Sequence, residues 1–350
     1  MPAEWEPHEA TWLAWPHRRD DWPGKFAAIP WVYCEIIRHL SRRERVRILV
    51  DRAQSRASKK LRRAGIDLRQ IDFLEAPTDR SWVRDFGPIF VRDASGVLGI
   101  TDWGFNGWAK YADWHLDNAV PAQVAKLLGL KAWQPEIAGR RVILEGGSID
   151  VNGQGLLLTT QECMLSPVQA RNPHLGRAEM EQVFRDYLGI RKVLWLGAGI
   201  AGDDTHGHVD DIARFVGPRT IVAAVEENKS DPNHAPLRDN WNRLREMTDL
   251  KGKTLEIIAL PMPAPIIFAG QRLPASYANF YIVNNLVLVP TFNDPNDGKA
   301  IGILAEHFPK RAVVGIHATD LVLGLGTLHC MTQQQPRSGV RDQESGKRKS

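Results

Sequence analysis

The residues best suited to chemistry lie near the C-terminus, in Gly324-Leu325-Gly326-Thr327-Leu328-His329-Cys330-Met331-Thr332-Gln333-Gln334-Gln335-Pro336. Its centre is one thiol beside a histidine, in a turn bounded by glycines. A cysteine set this way is a candidate nucleophile. A free cysteine is also commonly a small buried hydrophobe, so the reading of Cys330 depends on partners elsewhere.

Three other stretches offer partners. Thr78-Asp79-Arg80-Ser81-Trp82-Val83-Arg84-Asp85-Phe86-Gly87-Pro88 sets charges and an aromatic directly before an apolar run, and Gly87-Pro88 restricts the backbone after Asp85. Leu144-Glu145-Gly146-Gly147 ends an apolar run in a carboxylate and two glycines, a pattern for close backbone approach or a strand bulge. Gly202-Asp203-Asp204-Thr205-His206-Gly207-His208-Val209-Asp210-Asp211 packs two histidines among four carboxylates. If the chain is extended from Gly207, His208 and Asp210 share a face and form an acid/base unit with its carboxylate. The rival use is a metal-dependent hydrolase built on His206, His208 and Asp210.

Together these groups suit nucleophilic attack on a cationic carbon. A thiolate needs a neighbouring cation, either a histidinium or the substrate itself. Two aspartates match the planar fork of a guanidinium through paired, charge-assisted bonds, and so aim its carbon at the sulfur.

The elements that must position these groups alternate strand and helix. Strand runs are expected at Val46–Val50, Pro88–Arg92, Val97–Thr101, Arg141–Leu144, Leu156–Thr159, Lys192–Leu196, Thr220–Val225, Leu255–Leu260, Tyr281–Pro290 and Arg311–Ile316. Helical patterns lie between them at Val32–Leu40, Ala53–Ala64, Asn118–Leu128, Arg177–Leu188, Leu237–Met247 and Gly298–His307. No Pro/Gly/Ser-rich linker interrupts the series, so a single α/β unit over residues 1–336 is expected, with a polar, basic, disordered tail over 337–350. The step from Asp85 to Glu145 is 60 residues, to His208 a further 63, and on to Cys330 122. Such steps suit a repeated unit with functional groups gathered at a centre.

Composition excludes several classes. Three widely separated cysteines, Cys34, Cys163 and Cys330, argue against a disulfide framework and for a reducing, cytoplasmic setting, with Cys34 and Cys163 structural. No apolar run is long enough to cross a bilayer, and the N-terminal residues lack the features of a secretory signal. The formal charge of +4 is concentrated between Arg38 and Arg63. That run reads as the solvated face of two helices about a strand rather than a nucleic-acid surface.

With these stretches in view, the chain resembles the agmatine deiminase family, the group that also holds the Porphyromonas-type peptidylarginine deiminases. The resemblance is carried by Met1-Pro2-Ala3-Glu4-Trp5-Glu6-Pro7-His8-Glu9 with Trp12 and Trp15-Pro16, and by Trp82-Val83-Arg84-Asp85-Phe86-Gly87-Pro88. It continues in Leu144-Glu145-Gly146-Gly147, Thr205-His206-Gly207-His208-Val209-Asp210 and Leu328-His329-Cys330-Met331-Thr332-Gln333-Gln334. It implies the pentein fold, an α/β-propeller of five ββαβ-type units about a pseudo-fivefold axis.

The resemblance also implies roles. Cys330 would be the nucleophile, His208 the general acid/base, Asp85 and Asp210 the guanidinium clamp, and Glu145 the support of His208. Trp82 and Gly326 would line the substrate. No cofactor or metal is implied. The expected reaction is agmatine plus water to N-carbamoylputrescine and ammonia through a cysteine thiouronium, with peptidylarginine or free arginine as alternative substrates. A small-molecule guanidine is the expected partner, not nucleic acid or membrane, and a homodimer is left open. Two departures stand out: Leu325 interrupts a run that is triple glycine in many relatives, and His206 replaces a common asparagine.

Overall fold

The computed structural model describes residues 1–51 and 54–339. Five sheets share one wiring: a central strand runs antiparallel to the strand before it and parallel to the one after, and a helix links the parallel pair. In chain order, one such unit is Ile89–Arg92, Leu98–Thr101, helix Val120–Leu128 and Ala132–Trp133. The next is Asp150–Val151, Leu156–Thr160, helix Arg177–Leu188 and Lys192–Leu196. Then come Ala213–Phe215, Thr220–Val225, helix His234–Glu246 and Glu256–Pro261. The last contiguous unit is Tyr281–Val283, Leu286–Thr291, helix Asp297–His307 and Ala312–His317.

The remaining unit is assembled from both ends of the chain. Gln333–Pro336 runs antiparallel to His8–Ala14, which is linked through helix Ile29–Leu40 to parallel Arg45–Val50, with Ile71–Glu75 added outside. The three glutamines are therefore closure residues. Gln335 Oε1 accepts from Trp12 Nε1 at 3.0 Å, Gln334 Oε1 from Arg84 at 2.7 Å, and Gln333 Nε2 donates to the Pro88 carbonyl at 2.9 Å.

Apolar runs such as Leu286–Thr291 read as continuous because their sheets are buried on both faces. The expected strand Tyr281–Pro290 is instead a hairpin broken at Asn284-Asn285, where Asn285 takes φ 57°. Arg141–Leu144 is not a strand of its own: Arg140–Arg141 pairs with Glu136–Ile137, and Ile143 makes a lone bridge to Gly104. His8–Ala14, Ile71–Glu75 and Gln333–Pro336 carry no expected strand in the sequence, although all three complete the first sheet. The Arg38–Arg63 run does flank a strand with two helices, with Arg38 paired to Glu35 and Arg45 to Asp72. Arg52 and Ala53, the first residue of an expected helix, lie outside the described residues, as do positions 340–350 of the expected tail. Arg337 is held by the Pro7 and His8 carbonyls.

The N-terminal segment threads its carboxylate into the middle of the molecule. Glu4 Oε2 lies 2.9 Å from Arg214 and 2.8 Å from His329, and Oε1 accepts from the Ile282 amide at 2.8 Å. Burial works against its charge, but Arg214, His329 and Arg84 overcome this and hold Glu4 well below the ordinary carboxylate range. Removing one member of such a buried group leaves the others uncompensated, so Glu4→Gln is expected to cost about 3–5 kcal/mol at neutral pH. Because the folded-state pKa is depressed, this stabilisation is complete above the unfolded-chain value near 4.5 and is lost as pH falls below it. Urea unfolding of both proteins against pH checks this; a difference that stays constant in acid would assign the loss to packing.

Candidate active site

Four chain segments bring the chemical groups together. The one-turn helix Val83–Phe86 carries Asp85, and the 3-10 turn Gly146–Ser148 follows Glu145. A second 3-10 turn, Val209–Asp211, follows His208, and the turn Leu321–Gly324 precedes the segment bearing Cys330. The segment at His208 is therefore not extended through Asp210, as the alternation of side chains suggested. The tight turn sends His208 towards Glu145 and Asp210 towards His329, so each has its own partner.

Asp85, Glu145, His208, Asp210 and Cys330 are all buried. Asp85 accepts from the Gly147 amide at 3.0 Å and from Trp108 Nε1 at 2.9 Å. His208 Nε2 faces Glu145 Oε2 at 3.2 Å, and its Nδ1 lies 3.8 Å from Asp85 Oδ1 with no hydrogen-bond partner. Asp210 Oδ2 faces His329 Nδ1 at 2.7 Å and Cys330 Sγ at 3.7 Å, while Oδ1 has no partner. Gly147 shows how closely these groups converge. A Cβ there would fall 2.6 Å from His208 Nδ1, 2.8 Å from Asp85 Oδ1 and 3.0 Å from Asp210 Oδ2. The absent side chain leaves the space into which all three groups point.

Their charges are set by burial against neighbours. Burial raises Asp85 to about 6, against the pull of charged His208 and with the push of Asp210 and Glu145. Burial also opposes the charge on Glu145, yet Arg171 and His208 hold this carboxyl below its usual value. Arg171 Nε donates to both Glu145 oxygens, at 3.0 and 3.2 Å. His208 is driven well above the ordinary histidine range: burial disfavours its charge, but Asp85, Cys163 and Glu145 outweigh that. Asp210 is lowered because His329 overcomes its burial. Cys330 goes the other way, pushed far up by burial and by the charges of Asp210, Asp211 and Asp85.

Above these groups a cavity of about 510 Å³ opens outwards. Trp82 forms one wall, packed on Trp22 with ring centroids 5.3 Å apart. Gly326 brings backbone against that wall: a Cβ there would lie 3.0 Å from the Trp82 ring and 3.2 Å from Cys330 Sγ. Leu325 also lines the cavity, in a left-handed conformation at φ 68° that costs an L-residue roughly 1–2 kcal/mol. The rim carries Asp20, Asp21, Asp113 and Asp204, with Arg18 and Arg80 each tied to Asp21 and Asp113.

Among the described residues the rival metal set of His206, His208 and Asp210 is not assembled. His206, at φ 62°, sets its ring 3.0 Å from Ser166 Oγ and 4.0 Å from Glu162. Among the described residues, the donors close enough to share an ion are Glu145, Cys163 and His208. There the Arg171 guanidinium already compensates Glu145. Cys163, expected to be structural, is thus a neighbour of His208, whereas Cys34 lies in the apolar core. Sequence reasoning missed Glu4, Trp108, Arg171 and Asn279. Glu4 had some signal as a charge inside the N-terminal stretch; Arg171, Trp108 and Asn279 had almost none.

Gly147→Ala is expected to lower kcat/KM by about 100-fold or more, because a misplacement near 1 Å is enough for that. The thermal midpoint should shift far less than for a core truncation. Steady-state kinetics beside a melting curve checks this, and near-normal turnover would show that the three groups do not act at this space.

The chain has relatives of known name. It is 36% identical to the agmatine deiminase of Stutzerimonas stutzeri, covering 97% of this chain and 96% of the relative. The structure of the Enterococcus faecalis agmatine deiminase superposes with a TM-score of 0.89 at 32% identity, covering 97% of this chain and 96% of that one. The Campylobacter jejuni agmatine deiminase superposes with a TM-score of 0.83 at 30% identity over the same shares. The family model of the Porphyromonas-type peptidyl-arginine deiminases matches residues 1–336, and the chain belongs to that family.

Proposed function

We propose that this protein is an agmatine deiminase, hydrolysing the guanidinium group of agmatine to N-carbamoylputrescine and ammonia. The observation that carries the reading is the convergence of His208, Asp85 and Asp210 on the space above Gly147, beside the Cys330 sulfur. Relatives of that name support it.

In this reading the guanidinium enters between Asp85 and Asp210, which accept its N–H bonds as a planar clamp. Its positive charge offsets the carboxylates that keep Cys330 protonated, so the thiol releases its proton to solvent on binding. The sulfur then forms a bond to the guanidinium carbon. His208 delivers a proton from Nδ1 to one terminal nitrogen, the C–N bond breaks, and ammonia leaves a cationic thiouronium. The now neutral Nδ1 takes a proton from water as its oxygen bonds to the carbon. The C–S bond breaks, the hydroxyl proton passes to sulfur, and the urea product departs. Glu145, anchored by Arg171, holds Nε2 and so keeps Nδ1 facing the substrate.

The rim supports agmatine over arginine. Both rim arginines are already paired with aspartates, so a substrate carboxylate would have to displace them. A distal ammonium meets the prevailing negative charge instead. Trp82 and Gly326 provide an apolar passage for the methylene chain. We further infer that the five sheets close as a pentein propeller around this site and that residues 1–336 form a single catalytic unit. Three buried unpaired thiols support a cytoplasmic setting.

Agmatine, arginine and a peptidylarginine compared by kcat/KM test the reading. Agmatine should lead by at least tenfold, and Cys330→Ala should abolish ammonia release; equal rates on arginine would overturn the substrate assignment. Asp85 must be ionised to clamp its ligand, so kcat/KM should rise with pH through about 6. That limb should disappear in Asp85→Asn, and a limb left in place would assign it to another group.

A further inference from the structure

His329 stands beside the nucleophile in the chain, yet its ring does not serve the sulfur. Both ring nitrogens are taken up by carboxylates: Nδ1 faces Asp210 Oδ2 at 2.7 Å and Nε2 faces Glu4 Oε2 at 2.8 Å. Burial opposes the charge on both carboxyls, yet both stay below the ordinary range, Asp210 because of His329 and Glu4 because of Arg214 and His329. An ionised carboxylate only accepts, so each ring nitrogen must donate. A ring committed in this way has no lone pair left to take a proton from the adjacent thiol.

Ring and backbone of this buried residue are both held. The far partner, Glu4, is fixed by Arg214 at 2.9 Å and by the Ile282 amide at 2.8 Å, so Nε2 meets a stationary acceptor. The His329 amide donates to Asn279 Oδ1 at 3.0 Å, and Nδ2 of that side chain lies 3.0 Å from Cys330 Sγ. The His329 carbonyl accepts from the Thr332 amide at 3.1 Å and from Arg84 Nε at 3.3 Å. With these bonds in place, Nδ1 is presented in one direction only.

What Nδ1 meets is one oxygen of the proposed clamp. Asp210 Oδ2 takes the bond from His329 and lies 3.7 Å from the Cys330 sulfur, while Oδ1 is buried with no partner among the described residues. A carboxylate turns readily about its last bond unless something holds it. The bond to the ring fixes its plane and leaves Oδ1 as an unsatisfied acceptor, which an N–H of a bound guanidinium can satisfy. Glu4, on the far side of the ring, offsets the positive charge there, so Asp210 is oriented while keeping its attraction for a cation. We infer that His329 is a positioning residue of the reaction: seated on Glu4, it fixes the Asp210 carboxylate in the orientation that receives the guanidinium. The inference rests on the reading of Asp210 as half of the clamp. It also gives the segment before His8–Ala14 a part in the site, because Glu4 is the stationary end of the series Glu4, His329 and Asp210.

Two substitutions separate the ends of the ring. His329→Asn sets an amide near the place of Nδ1, keeping a donor for Asp210 and none for Glu4. His329→Gln sets one near the place of Nε2, keeping a donor for Glu4 and none for Asp210. A positioning role makes activity and stability move in opposite orders. The Gln variant should lose about 100-fold or more in kcat/KM for agmatine, and the Asn variant should stay within about tenfold of wild type. The Gln variant should nevertheless melt at the higher temperature, because it leaves the buried Glu4 its partner. An Asn variant no more active than the Gln variant, or activities that follow the melting midpoints, would overturn the inference. Should neither variant fold, NMR of Cys330→Ala labelled at histidine nitrogen provides the measurement. Saturation with agmatine should shift the His329 Nδ1 proton more than the Nε2 proton; an unmoved Nδ1 proton overturns the proposal. Wild-type protein that releases no ammonia from agmatine would defeat the reading of the site itself, whereas an active wild type with either contrary result would defeat this inference alone.

Discussion

The molecule is organised around a cost that no apolar core can meet: several carboxylates taken out of water close to one another. Each demands a partner. Glu145 has Arg171, Glu4 and Asp150 share Arg214, and Asp210 has His329. Two of these pairs, Glu4 with Arg214 and Asp210 with His329, join distant parts of the chain, so the charge cluster helps to close the fold. Asp85 is served only by two neutral N–H donors and a shared histidine, and correspondingly its carboxyl is pushed up. Asp85 thus lacks a cation of its own, and the proposed guanidinium substrate has the shape and charge to supply it.

The same arithmetic governs the nucleophile. A thiol among carboxylates is held in its inert, protonated form, which keeps it from reacting before a cation arrives. In the proposed reading, binding and activation become a single step, since the charge that the clamp recognises is also what releases the thiol's proton. Neutral donors such as Trp108 and Asn279 suit this site because they orient anions without cancelling the charge that draws the substrate in.

The two departures from the family pattern share a backbone cause. Leu325 and His206 both occupy left-handed conformations, where glycine and asparagine are the easier choices. At 206 the strained residue sets its ring against Ser166 Oγ. At 325 the residue lines the cavity together with Gly326 and Cys330.

Local sequence was enough for the repeated strand–helix–strand units, because β-branched runs and amphipathic helices report on neighbours a few residues away. The motifs around Asp85, Glu145, His208 and Cys330 were also legible, since acidic, histidine and cysteine residues beside glycines are seldom needed for packing alone. Other features required the folded molecule. His8–Ala14 is a strand because Gln333–Pro336 lies against it, and no local pattern announces a partner more than 300 residues away. Glu4, Arg171 and Asn279 owe their importance to which buried charge or sulfur each meets. The sequence by itself determined which atoms could react; only the tertiary structure decided which of them are compensated, which are oriented, and which point into the space above Gly147, because burial and charge pairing are properties of contacts that chain order does not contain.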